Sequence, residues 1–221
     1  MSPTQALHDS GAMHALSATL PPEVLAPLAE INLQCIELLC AMAVDDQSPL
    51  PVVRDLAPLW RHLSAESRRL MALCPFLLAD AGFSEEARWL RWRGLPTDGL
   101  RPASPQPPPV AARTVLPPAL ARRVLTYGWH LARAHPSVAR VSLGMTPVCL
   151  SQVAALGLHE IDQLCEQHPG WVRPRWEAHP DVWRALLQAV ARPSPEALRR
   201  VALRGIQLLA GAALAPQGTP R

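Results

Sequence analysis

The chain has 221 residues, enough for one domain of moderate size or two small ones, and 49% of them are hydrophobic, so most of the length can bury a core. Aromatic residues are only 5%, with one Tyr and two Phe, a poor supply for a β-sandwich and a good match to helices packed through Leu and Ala. All 21 basic residues are Arg, and the net charge of +3 conceals an asymmetry: residues 1–86 hold 4 Arg and 11 acids, residues 87–221 hold 17 Arg and 7 acids. A basic half of this kind fits an acidic partner such as DNA, and it fits two differently solvated surfaces equally well.

Residues 1–20 have no clear periodicity and read as a mobile tail without a basic n-region or a long apolar stretch. Pro21-Pro22-Glu23 opens a helix, because Pro is allowed in the first turn and an acid there favours the dipole. Leu28, Ile31, Cys35, Leu38, Leu39 and Met42 form its buried stripe, and Asp45 to Pro49 ends it. A second helix is predicted over Val52–Leu63, with Pro58 at an end or a kink. Ser64 then caps a helix reaching Leu73, Pro75 interrupts, and Ser84-Glu85-Glu86 caps another that ends near Gly94.

Residues 95–118, with the run PTDGLRPASPQPPPVAARTVLPP, read as a semi-rigid linker. Periodicity resumes at Ala119 with Leu120, Val124, Tyr127 and Leu131, and His135-Pro136 stops it. Val138–Leu143 is expected as a short strand or extended piece. Thr146-Pro147 caps a helix with Leu150, Val153 and Ala154 inward; Gly157 breaks it, and Leu158, Ile161, Leu164 and Cys165 carry the next. Trp171–Trp176 is extended, Pro180 begins a helix through Val190, and Ser194-Pro195-Glu196 opens a last one striped by Leu198, Val201, Ile206 and Leu209. The fold class that follows is all-α: a tail (1–20), a helical domain (21–94), the Pro-rich linker (95–118), a second helical domain (119–215) and a short tail (216–221). A faint internal echo links Leu63-Ser64 to Leu73 with Leu156-Gly157 to Cys165, each pair of helices ending near a proline and an aromatic.

Chemistry is sparse. The five cysteines form no CxxC, and four of them, at 35, 74, 149 and 165, lie in apolar helical patterns, so they read as buried and reduced. No histidine pair or Cys–His set has ligand spacing, no nucleophile or phosphate-loop motif occurs, and neither an enzyme, a metal nor a cofactor is expected. No apolar run of 18 residues suggests a membrane span, the nearest being Ile206–Ala215, and the expected location is the cytoplasm.

The best candidate is residues 146–167, two short helices about a turn, as in a helix-turn-helix. Thr146 and Gly157 frame the pair, and His159 and Gln163 stand where a recognition helix would read bases. Glu160 and Asp162 on the same helix repel phosphate, which favours a helical hairpin without readout. Arginine elsewhere suits phosphate better: Arg173, Arg175 and Arg184 lie among Trp171, Trp176 and Trp183, and Arg199, Arg200 and Arg204 lie opposite the last apolar stripe. The alternative is a solvated helix face with core indoles. Arg88, Arg91 and Arg93 around Trp89 and Trp92 offer the same choice between a partner surface and a snorkelling helix end.

Residues 124–187 resemble the FlhD family of bacterial flagellar transcriptional regulators in order and apolar spacing. The matching pieces are Tyr127–Ala132, Val141-Ser142-Leu143-Gly144-Met145, Cys149–Ala155, Leu156-Gly157-Leu158, Ile161–Glu166, Val172–Trp176 and Pro180–Leu187. Ile31-Asn32-Leu33 is similar to a motif of the family's leading helix, although it lies in the first half. The resemblance implies a transcriptional activator of motility-type genes, working in a ring-like complex with an FlhC-type protein that supplies the zinc site and helps bind double-stranded DNA. The family's cysteine falls at about Val172 here, so its inter-subunit disulfide is not expected, and family members are about half this length. Residues 1–118 are then a diverged second copy or something new, and a fused pair could stand in for self-association. A helical protein–protein adaptor without DNA binding is the alternative.

Overall fold

The computed structural model describes residues 20–45, 48, 50–98, 100, 116–177 and 179–214. The two tails and the centre of the expected linker, residues 101–115, lie outside them, as do Asp46, Gln47 and Pro49. The fold is all-α, with eleven helices and one two-residue pairing of strands among the described residues.

In chain order the elements are α1 (Pro22–Met42), α2 (Pro51–Arg54), α3 (Ala57–Arg61), α4 (Ala65–Ala72), β1 (Ala79–Asp80), α5 (Glu86–Trp92), α6 (Pro118–Ala134), α7 (Pro136–Leu143), α8 (Pro147–Ala154), α9 (Leu158–Gln167), β2 (Arg173–Pro174), α10 (Pro180–Ala191) and α11 (Pro195–Leu214). Prolines start most of them. Pro22, Pro51, Pro118, Pro136, Pro147 and Pro180 all occupy first-turn positions, where the missing N–H costs nothing. Ser64 caps α4 by accepting from Ser67 N–H at 3.0 Å, and Thr146 caps α8 by accepting from Cys149 N–H at 3.2 Å.

Two compact units divide the chain, and neither is a continuous stretch. Unit 1 is residues 1–79 with 173–206, and unit 2 is residues 80–172 with 207–221. These bounds differ from the expected division at 21–94 and 119–215. The reason is where two helices pack: α10 lies on α2, α3 and α4, whereas α5 lies on α8.

Unit 1 is built on α1 against α4, with α2 and α3 also on α1. Leu28, Ile31, Cys35, Ile36 and Leu39 of α1 are buried with Trp60, Met71 and Trp183. Inside this apolar set Asn32 is fully buried and donates to Ala72 O (3.2 Å) and Phe76 O (2.9 Å) while accepting from Leu78 N–H (2.8 Å). One side chain thus satisfies three backbone groups at and just after the end of α4, where the helical ladder runs out. The expected helix over Val52–Leu63 is broken at Asp55-Leu56, because Pro58 sits in the first turn of α3 and cannot continue α2. By length and composition α1 is long and apolar enough to cross a membrane, with a mean hydropathy of 1.5 over its best window, 44% of which is buried; it is a longer apolar span than the expected Ile206–Ala215 run.

Unit 2 is built on α6, against which α7, α8 and α9 pack. Leu120, Val124, Tyr127 and Leu131 are buried as expected. Residues 138–143, expected as extended, are helical. Pro136 nucleates α7, Ala139, Ser142 and Leu143 are buried at spacings of three and four, and Val141 is left 49% exposed. Gly144, at φ +72°, ends the helix in the left-handed region that glycine occupies without cost. Leu158 is also misjudged by its pattern, being 60% exposed at the first position of α9. Glu85, not Ser84, is the residue before α5, and it gives no side-chain cap.

Candidate anion-binding face

The two helices expected over 146–167 are α8 and α9, joined through Leu156-Gly157. Glu160 closes the turn by accepting from Gly157 N–H at 2.6 Å, and Trp129 of α6 donates to Leu156 O at 2.9 Å. Gly157 has φ −85°, so left-handed geometry is not what selects glycine; a Cβ there would lie 3.0 Å from His159 Nδ1. His159 and Gln163 are exposed. Two of the three acids of α9 are paired, Glu160 with Arg93 at 2.6 Å and Asp162 with Arg122 at 3.0 Å, and the third, Glu166, is exposed. The face still carries no arginine of its own.

The arginines assigned to phosphate contact separate into two kinds. Arg175 is 6% exposed, and its Nε donates to Leu77 O at 2.7 Å and its Nη2 to Ala79 O at 3.3 Å. Its own backbone N–H donates to Leu78 O at 2.8 Å. Arg175 is therefore a clamp on the β1 approach, turned inward, and not a surface contact. Arg173 is partly buried and bound to Glu177 at 2.9 Å. The indoles follow the same logic: Trp183 is fully buried, 5.5 Å from Trp60, and donates to Arg175 O at 2.7 Å.

Arg184, Arg199, Arg200 and Arg204 are all exposed. Asp181, Arg184 and Gln188 share the outer stripe of α10, and Arg200 and Arg204 are one turn apart on α11. Arg204 Nη2 meets Asp181 Oδ2 at 2.9 Å across these two helices, which joins the stripes into one surface within unit 1. Both partners of that pair are more than half exposed, so water screens it and an incoming phosphate can compete for the guanidinium. Arg192, exposed in the link between α10 and α11, is a further arginine of this segment that the spacing of the stripes does not single out. Its position beside Pro193, at the end of an apolar stripe, was the available signal. Residues 180–206 thus hold five arginines against Asp181 and Glu196.

The remaining expectations concern side chains turned inward. Arg88 is 7% exposed; its Nη2 donates to Trp171 O at 2.9 Å and its guanidinium lies 4.0 Å over the Trp171 ring. All five cysteines are buried and unpaired with one another. Burial pushes the thiols of Cys35, Cys74 and Cys149 up to about 12, so they stay protonated near neutral pH and are poor nucleophiles. Among the described residues no group of three His, Cys, Asp or Glu side chains could hold a metal ion. An apolar groove between α1 and α4, lined by Leu25, Ala29, Leu73 and Cys74, offers no polar side chain to orient a ligand.

No protein-family model matches the chain, and comparison with curated proteins and with solved structures gives no match.

Proposed function

We propose that the protein is a DNA-associated transcriptional regulator that works inside a protein complex, with Arg184, Arg199, Arg200 and Arg204 as its phosphate contacts. The observation that carries the reading is the exposure of these four side chains on α10 and α11, in a stretch where arginine outnumbers acid. Such a face supports contact with the backbone of a duplex and not base readout, because arginine on a flat helical surface meets phosphate wherever the sequence places it. Base selection then falls to a second protein. The FlhD resemblance of residues 124–187 suggests an FlhC-type partner and motility-type genes.

The test is fluorescence anisotropy of a labelled duplex with the protein, alone and with such a partner, across a salt series. Binding weakens as salt rises, and Arg199→Glu with Arg200→Glu lowers the salt slope by about 2, since each phosphate contact contributes about 0.9. Circular dichroism of the variant stays helical, because both side chains are exposed. No binding at low salt, with or without the partner, removes the reading.

One observation favours the adaptor instead. Leu158 is 60% exposed beside exposed His159, on a helix with no arginine, a composition suited to a protein contact. Under that reading Leu158→Asp abolishes partner co-purification, and the double arginine variant leaves it intact.

A further inference from the structure

The order of elements repeats, and it repeats in register. Leu20-Pro21-Pro22 opens α1 and Leu116-Pro117-Pro118 opens α6, 96 positions later. The buried residues Val24, Leu28, Ile31, Asn32, Cys35 and Ile36 of α1 fall, at the same spacing, on Leu120, Val124, Tyr127, Gly128, Leu131 and Ala132 of α6, all buried. Pro51 of α2 matches Pro147 of α8 at 96 as well. The residues that precede α4 and α9, Ser64 and Gly157, are 93 apart, each following a buried leucine, Leu63 or Leu156. The three residues lost from the spacing are accounted for by the α2–α3 break, which α8 lacks.

The correspondence continues at a spacing of 94. Cys74-Pro75 matches His168-Pro169, β1 matches β2, and α5 starts at Glu86 where α10 starts at Pro180. Gly82 (φ +70°) matches Trp176 (φ +53°), the one non-glycine residue with positive φ among those described. Left-handed backbone is costly for a tryptophan, so its recurrence at this position points to a shared turn. Trp89 matches Trp183; both are fully buried, and each indole N–H donates to a carbonyl of that preceding turn, Gly82 O at 2.9 Å and Arg175 O at 2.7 Å.

Helix packing repeats too, with one exchange. α1 packs on α4 as α6 packs on α9, and α1 packs on α2 and α3 as α6 packs on α8. The last helix of each repeat does the opposite of what chain order suggests. α5, ending the first repeat, packs on α8 of the second; α10, ending the second, packs on α2, α3 and α4 of the first. Side chains agree. Trp89 packs edge-on to Trp171 at 5.3 Å, and Phe83 lies so close to Gly128 that a Cβ there would be 2.8 Å from its ring. In the other direction Trp183 meets Trp60 at 5.5 Å, and Ser67 Oγ donates to Val190 O at 3.0 Å.

We propose that the chain is a tandem duplicate whose two copies, α1–α5 and α6–α10, have exchanged their C-terminal arms. Each core, α1–α4 or α6–α9, is completed by the arm of the other copy, as in a swapped homodimer made from one chain. The proposal does not depend on DNA binding. It predicts a crossed response to mutation, readable by hydrogen exchange on the full-length protein. Trp183→Phe speeds exchange at least several-fold in residues 51–72 and leaves 147–167 protected. Trp89→Phe speeds exchange in 147–167 and leaves 51–72 protected. Phe keeps most of the buried area, so both variants fold; Leu187→Ala on α10 serves as a second probe of residues 51–72. Loosening of the variant's own copy, or of both cores alike, overturns the exchange.

Discussion

At the level of single side chains, two buried polar residues decide more than any exposed charge. Asn32 and Arg175 both bond backbone groups of residues 72–79, the segment where α4 has ended and only two strand residues follow. Without them several carbonyls and one N–H would be buried bare, at about 1–3 kcal/mol each. Arg175→Met, which keeps the aliphatic stem and deletes the fork, is expected to lower stability by about 2–4 kcal/mol, read as a fall in denaturant midpoint. A surface phosphate contact at this position would instead leave the midpoint unchanged and weaken DNA binding. An arginine between two tryptophans reads the same way from sequence whether it points out to phosphate or in to a carbonyl. Periodicity cannot decide the matter in a non-helical stretch such as that of Arg175, whereas helical spacing places Arg199, Arg200 and Arg204 on the outer face of α11, where they are exposed.

Elements were legible where punctuation and period agreed. Pro-rich starts and the Ser64 and Thr146 caps located α1, α4, α6, α8 and α10 closely, because these residues act through local backbone chemistry. Residues 138–143 failed because two valines suggested strand, whereas Pro136 ahead of them and burial at 139, 142 and 143 produced a helix. Close packing between distant elements was invisible in the same way. Gly205, inside α11, is buried against the Phe76 ring, where a Cβ would come within 2.2 Å of Cε1. Gly211, later in the same helix and exposed, has nothing within 4 Å. The two glycines should therefore respond oppositely to alanine. Gly205→Ala costs about 1–3 kcal/mol of overpacking, more than the helix propensity it gains, while Gly211→Ala stabilises by roughly 0.5–1 kcal/mol. Thermal midpoints of the two variants check this, and a rise for both would show that Phe76 yields at no cost.

For the whole molecule, the division of charge along the sequence does not survive folding. Residues 1–86 are acidic and 87–221 basic, yet among the described residues unit 1 holds 11 Arg and 9 acids, and unit 2 holds 7 Arg and 7 acids. Residues 173–206 bring seven arginines into the unit that holds the acidic N-terminal helices; the ion pairs of Arg173 and Arg204 are made within that segment, with Glu177 and Asp181. The all-α class was readable from composition and period, but this crossing was not, since no local signal tells an arm which of two similar cores to complete. The consequence can be tested by cutting the folded chain at a protease site placed within residues 101–115. Two halves that each held a full core would part on size exclusion and unfold separately. With each core lacking its own last helix, the cut fragments should instead elute together near 24 kDa and melt in one transition, because Trp89 and Trp183 each anchor a fragment to the other's core. Separation under native conditions would mean that the buried faces of α5 and α10 can be exposed cheaply, which their fully buried indoles argue against.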